Sequence, residues 1–282
     1  MTSFNSIALN GSTLSVNGTD YNLSLSQTAE GTDSSLSSFK GVAAVDNGDG
    51  TISLTVGENS VVVEKYVAYP TKGDLITMTL GNAAPAAGTN NTYRVLSISG
   101  SVAEVVAMFD PSTSQKFNPT NSDGNAYSGS SLDTYLNTTW YGSLNATAKA
   151  AIIAKNVQQY RYSKSSSAYN ATTHASYANY STKATKGSAV SRNVYALDVE
   201  DIEQYFGGTF STANILTMFY NTTSAPSTVT YPWLRSALAD YSDFSFCVNG
   251  SVGSVHNRSV AADGAARPAF TIDLSKIEWS KV

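Results

Sequence analysis

The sequence predicts an α+β protein in two parts, a small all-β module over residues 1–68 and a mixed domain over residues 69–282. Three observations carry this. Asn-Gly and Asp-Gly pairs punctuate the first part at hairpin spacing, apolar runs of strand length follow, and capped helical patterns begin only after residue 130.

In the first part the turn pairs are Asn10-Gly11, Asn17-Gly18 and Asn47-Gly48-Asp49-Gly50, the last lying between the runs Val42–Val45 and Thr51–Val56. Both members of such pairs tolerate positive φ, which tight hairpins require. Ser26 to Ser38 is rich in Ser, Thr and Gly and is expected to be a loop. Tyr69-Pro70-Thr71-Lys72-Gly73 marks the boundary. Beyond it, Leu75–Leu80, Tyr93–Ile98 and Val102–Met108 are expected strands. Gly81–Asn91 links the first two, and Gly100-Ser101 closes the last two into an antiparallel hairpin.

Ser130 and Asp133 have capping-box spacing, and Leu132, Tyr135, Leu136 and Trp140 then fall on one helical face. Asn145 is the expected N-cap of a second helix, Ala146 to Lys155. Tyr160–Tyr162 opens a strand, and the polar span Ser163–Ser191 is expected to be a long loop or insertion of unassigned function. After Val194–Leu197, Asp198 caps a third helix whose inner face is Val199, Ile202 and Phe206 and whose stop is Gly207.

Charged residues form only 13% of the 282, and the net charge is −4 with a pI near 5.1. No basic stripe is available to neutralise phosphates, so nucleic acid is not an expected partner. No stretch approaches the roughly 20 apolar residues that span a bilayer, so no membrane insertion is expected. The start Met1-Thr2-Ser3-Phe4-Asn5 lacks the charged and apolar regions of a secretion signal. Cys247 is the only cysteine, which rules out an intrachain disulfide. The abundance of Ser, Thr, Asn, Gly and Tyr suits a particle or extracellular surface.

Three segments occur in an order that carries a family resemblance: Tyr127–Leu132 through Trp140-Tyr141 with the Ala-rich helix, Tyr195–Phe206, and Trp233-Leu-Arg-Ser236 closing with Ala266-Arg-Pro-Ala-Phe270. Together they resemble C-type-lectin-like domains of unknown function from gut bacteria and their phages, a group that includes variable proteins of diversity-generating retroelements. The resemblance covers roughly residues 70–279 and leaves out the first 68. It implies a C-type-lectin-like domain, two helices flanking a twisted antiparallel sheet, with the last segment displayed on an exposed face.

On that reading Trp233, Leu234, Arg267, Pro268 and Phe270 anchor the ends of the segment. Arg235 and Arg267 are either buried framework or exposed binders, and framework is favoured because arginines are seldom buried without partners. The displayed, ligand-binding positions are Leu238, Asp240, Tyr241, Asp243, Phe244, His256, Asn257, Arg258, Ala261 and Asp263, a run without period-2 or period-3.6 order that is expected to be loop or exposed surface. Retroelement variation cannot turn an Asn codon into Lys, Glu, Gln, Met or Trp, and Ser236–Phe270 contains none of the five. Thr2–Ser26 also lacks them, so the exclusion supports diversification without establishing it.

The calcium-binding Glu-Pro-Asn, Gln-Pro-Asp and Trp-Asn-Asp motifs of sugar-binding C-type lectins are missing from the sequence, so no metal site and no cofactor are expected. The acidic cluster Asp198, Glu200, Asp201, Glu203 is better explained by helix capping. One cysteine cannot supply the pair used by the formylglycine-generating enzyme of the same fold. His174 and His256 are too isolated for zinc or a triad, so no catalysis is expected.

The expected function is that of a phage virion surface protein, a tail or head appendage (a tail-fibre role included) that binds a host-cell receptor, protein or glycan. The first 68 residues would attach it to other virion proteins, and by analogy it would be a homotrimer. The alternatives are a bacterial surface or secreted binding module and a glycan-degrading enzyme.

Overall fold

A computed structural model describes residues 69–81, 91–164, 180–208, 211–224 and 230–282, together with the backbone of six strands between residues 7 and 64. The expected loop Ser26–Ser38, the turn residues 11–12, 17–18 and 47–50, most of the linker after Gly81, and residues 165–179 of the polar insertion lie outside the described residues. Two compact units divide the chain, Met1–Ala68 and Tyr69–Val282.

The first unit contains two antiparallel three-stranded meanders. One joins β1 (Ile7–Asn10), β2 (Thr13–Val16) and β3 (Thr19–Asn22). The other joins β4 (Val42–Asp46), β5 (Thr51–Val56) and β6 (Asn59–Glu64). Asn10 pairs with Thr13 and Val16 with Thr19, so two residues separate the partners in both hairpins; an Asn-Gly pair, Asn17-Gly18, occupies those positions only in the second, Asn10 being a paired strand residue in the first.

The second unit mixes helix and sheet, mostly strands with few helices, and is built on a curled antiparallel sheet; the α+β class expected from the sequence holds. In chain order its elements begin with β7 (Leu75–Met78), β8 (Thr92–Ser99), β9 (Val102–Ala107), β10 (Ser112–Lys116), α1 (Ser131–Thr134) and α2 (Ala146–Ala151). Next come β11 (Ile152–Ile153), β12 (Lys155–Val157), β13 (Tyr160–Lys164), β14 (Tyr180–Thr185), β15 (Val190–Arg192), α3 (Val199–Phe206) and α4 (Thr212–Tyr220). The last are β16 (Trp233–Leu238), β17 (Phe244–Asn249), β18 (Ser254–Ser259), β19 (Asp263–Ala266), β20 (Ala269–Asp273) and β21 (Trp279–Lys281).

A six-stranded sheet runs β11-β20-β9-β8-β7-β21, every neighbouring pair antiparallel. Its β8–β9 pair is the expected hairpin, turned at Gly100 with φ of 58°, where glycine avoids the steric penalty of a side chain. The second sheet runs β14-β13-β16-β17-β18, antiparallel except where β13 and β16 run parallel. The stretch Tyr195–Leu197 bridges the two sheets: Tyr195 exchanges backbone hydrogen bonds with Ala269 of β20 at 2.9 and 2.8 Å, and the Arg235 amide of β16 donates to the Leu197 carbonyl at 2.9 Å.

Helix starts follow the local signals. Ser130 accepts from the Asp133 amide at 3.1 Å, whereas the Asp133 carboxylate reaches the Gly129 amide and Arg192 and leaves the reciprocal half of the capping box unmade. Past Thr134 the helix widens into a π-type turn over Tyr135–Trp140; Leu132, Leu136 and Trp140 are buried as expected, and Tyr135 is half-buried. Asn145 caps α2 through the Ala148 amide, but that helix stops at Ala151, not Lys155. The β-branched Ile152 and Ile153 pair with Ile272 and Thr271 instead, so tertiary strand pairing overrides the helical run. Asp198 and Gly207 bound α3 as expected, Gly207 in the left-handed conformation. The polar insertion is not loop throughout, because β14 pairs with β13 along its length.

The C-terminal end of β20 contains a testable electrostatic cap. Asp273 accepts from the Ser275 amide at 3.1 Å and its hydroxyl at 2.7 Å, and the Ser275 hydroxyl, aided by Ser101 and Lys276 and opposed by partial burial, pulls the carboxyl down to about 2. A carboxylate depressed in the fold contributes stability above its ordinary value near 3.8, which is lost as pH falls through about 2. Asp273→Asn is therefore expected to cost about 1–2 kcal/mol at pH 7 after allowing for solvent screening. Urea titrations of both proteins should show that difference closing as the pH approaches 2.

Candidate recognition surface

The segment between Trp233 and Phe270 folds as four strands, β16 to β19, with the start of β20. The expectation of a loop is corrected here. Strand β16 lies between β13 and β17, and all six of its side chains are buried, so a two-sided apolar strand shows no alternation in the sequence.

Both ends of the segment are anchored in the core. The Trp233 ring meets Phe117 edge-on at 5.7 Å, and its Nε1 donates to the Gln115 carbonyl at 2.7 Å. Phe270 packs against Tyr93 at 5.4 Å and Trp140 at 5.6 Å. Arg235 and Arg267 are framework, 3% and 4% exposed. Arg235 pairs with Asp201 at 2.6 Å and donates to the carbonyls of Gln158 and Ala196. Burial works against its charge, but Asp201 and Asp198 outweigh it and raise its pKa. Burial pushes the Asp198 carboxyl up to about 6 while Arg235 opposes the rise. The acidic cluster is thus a cap and counter-ion: Asp198 accepts from the Glu200 amide and Asp201 from the Asp198 amide. Arg267 grips Asp110 with two hydrogen bonds of 2.8 and 2.9 Å.

Asn125 shapes the first exposed turn. This side chain is 1% exposed, and its Nδ2 donates to the carbonyls of Leu238, Tyr241 and Phe244 at 2.9, 3.0 and 2.6 Å, closing the connection between β16 and β17 around one amide. Gln159 holds Asn125 in turn, donating to its carbonyl at 2.8 Å and to that of Arg235 at 2.6 Å while accepting from the Tyr127 amide. The second turn docks on the first, because the Val260 amide donates to the Asp243 carbonyl at 2.9 Å.

These two turns bring most of the expected positions together at one end of the five-stranded sheet. Asp240 and Tyr241 are exposed, Tyr241 at 47%, and Asp243 and Phe244 are half-buried, the Tyr241 ring standing edge-on to Phe244 at 6.1 Å. From the second turn come half-buried Ala261 and exposed Asp263. Asn257 shares the Phe244 face, since Phe246 pairs with Asn257 and Phe244 with Ser259. Arg258 is half-buried but lies on the opposite face, 4.4 Å from the centre of the Tyr231 ring.

Two positions are corrected. Leu238 is 2% exposed because it ends the buried strand β16 beside Tyr162. His256 is 4% exposed because it sits opposite Cys247 in the sheet, its ring 5.9 Å from Tyr231. Neither is displayed. Burial also pushes the Cys247 thiol up, which disfavours its nucleophilic form.

Asn125 and Gln159 were not legible in the sequence, since single amides in polar stretches carry no periodic signal. Helix α4, with Ser211 accepting from the Asn214 amide as its cap, was also missed, although Ser211-x-x-Asn214 was available as a start signal. Among the described residues no group of three or more His, Cys, Asp or Glu side chains is placed to hold a metal ion.

Fold and surface together define an α+β domain that presents short turns from a rigid, polar-braced sheet. Residues 96–274, more than half of the chain, match the family described as a domain of unknown function, DUF6273, and the chain belongs to that family. No curated protein and no solved structure matches it.

Proposed function

We propose that this protein is a receptor-binding component of a phage particle, in which a C-type-lectin-like domain, residues 69–282, displays the rim Asp240, Tyr241, Asp243, Phe244, Asn257, Ala261 and Asp263 to a host-cell surface. The single observation that carries the reading is the clamp: one buried amide, Asn125, fixes three carbonyls of the first turn, and Asp243 docks the second. Residues at the tips of such braced turns can change without disturbing the core, as recognition on loops over a rigid scaffold requires. The buried Trp233 and Phe270 anchors and the antiparallel six-stranded sheet support the lectin-like fold. The sparsely charged, Ser- and Tyr-rich composition supports a particle surface. In this reading the first unit joins the domain to other virion proteins, and the assembly is a homotrimer.

The test is binding of fluorescently labelled protein to a panel of intact gut bacterial isolates. Wild type is expected to label a subset of strains. Tyr241→Ser is expected to reduce labelling at least tenfold with melting temperature unchanged, because an exposed aromatic at the centre of a contact supplies a large share of its energy. Undiminished labelling by that variant would place recognition elsewhere on the protein.

A further inference from the structure

The geometry points to a second binding site, a cleft over Gly129 and Thr134 that takes a neutral oligosaccharide. Two open hollows, about 570 and 470 Å³, share those two residues and so adjoin across them, a size suited to a short chain of sugar rings. The lining is hydroxyl-rich. Among the described residues, the side-chain hydroxyls of Ser131, Thr134, Tyr135, Thr138 and Thr139 make no hydrogen bond to another described residue. Each therefore keeps a donor and an acceptor for a ligand.

Charge selects the class. Asp133 and Arg192, the ionised pair in the second hollow, satisfy each other through bonds of 2.6 and 2.7 Å. At the far wall, Asp123 is held by the Thr120 amide and hydroxyl, both at 2.9 Å. Thr120 is neutral, so Asp123 keeps its negative charge at that edge: it opposes an anionic ligand, and as a single exposed, solvent-screened carboxylate it is too weak to select a cationic one, while the lining is too polar for an apolar one. Both donors and acceptors are offered, which matches ligands whose own groups are hydroxyls, and the half-buried Tyr135 ring gives one apolar face of the kind sugar rings pack against. The π-type turn beneath the cleft, over Tyr135–Trp140, is of a sort that recurs at functional sites. The site is separate from the displayed rim but adjoins it, since the Asn118 amide donates to the Val260 carbonyl at 3.0 Å.

The probes are maltohexaose, cellohexaose, xylohexaose, mannohexaose and laminarihexaose, titrated against the full chain by calorimetry and saturation-transfer NMR, with a hexagalacturonate and a Ser-rich peptide as comparators. At least one neutral hexaose is expected to bind and neither comparator to bind more tightly. Thr134→Val and Thr138→Val, both exposed positions, should each weaken binding about fivefold, the loss of one hydrogen bond, with melting temperature unchanged. Tyr241→Ser should leave the titration unaltered. The inference is overturned if none of the five hexaoses binds, if a comparator binds more tightly, or if the valine variants bind as wild type does. Loss of sugar binding in Tyr241→Ser alone would also overturn it by moving the ligand to the rim. Cell labelling, measured separately, decides the rim reading whichever way the titrations fall.

Discussion

Replacing Arg267 by Met is expected to cost about 3–5 kcal/mol, because it leaves Asp110 ionised, buried and without its partner. The guanidinium spends every face. Nε and NH2 bond the two Asp110 oxygens, NH1 donates to the Phe219 carbonyl, and the plane lies 5.0 Å from the Tyr220 ring centre. Arg267 thereby ties the end of the Trp233–Phe270 segment to α4 and to the chain after β9. Burial alone would lower its pKa, but Asp110 keeps it raised, so it is charged at every pH at which the protein folds. For a unit of this size such a loss corresponds to a melting temperature lower by roughly 10 °C. Urea unfolding measures it directly. The double variant Arg267→Met, Asp110→Leu should recover part of the loss, since removing both charges costs less than stranding one. Full additivity of the two single losses would show that the pair does not act as a pair.

Gly264→Ala is expected to be comparably damaging for a different reason. A Cβ at Gly264 would stand 2.4 Å from Trp233 Nε1, closer than atoms can approach, and the indole cannot yield because its Nε1 is held by Gln115 and its ring by Phe117. Either the Trp233 ring leaves its rotamer or β19 parts from β10, with an expected cost of about 2–4 kcal/mol. Trp233→Phe shortens the side chain at the point of collision, so Gly264→Ala should be less harmful on that background than on wild type. A coupling of about 1 kcal/mol or more in the double-mutant cycle is the expected reading. No coupling would mean that the glycine serves some other contact.

Signals that act within one turn of chain were legible. Ser130, Asn145 and Asp198 each start a helix because a side-chain oxygen meets an amide two or three residues on, a local geometry that needs no knowledge of the fold. The β8–β9 hairpin follows from Gly100 in the same way. The two arginines were legible as framework because an arginine near large apolar anchors is stable only when paired.

Features set by tertiary partners were not. Ile152 and Ile153 end α2 because β20 is there to pair with them. Strand β14 is Ser- and Thr-rich yet extended because β13 offers it a ladder. Strands β16 and β17 are buried on both faces, which erases the alternation that marks a half-buried strand, and the same burial withdraws Leu238 and His256 from the surface. Asn125 gathers carbonyls more than 100 positions away, a convergence no sequence window contains.

The central claim is that recognition lives in turns that the framework holds but does not specify. It is tested most directly by exchanging residues 239–244 and 257–263 between this protein and a second family member that labels different bacterial strains, keeping both frameworks. The account predicts that each chimera folds with its parent's stability and labels the strains chosen by the donor of the turns. Strain choice that stays with the framework, in chimeras of unchanged stability, would contradict it.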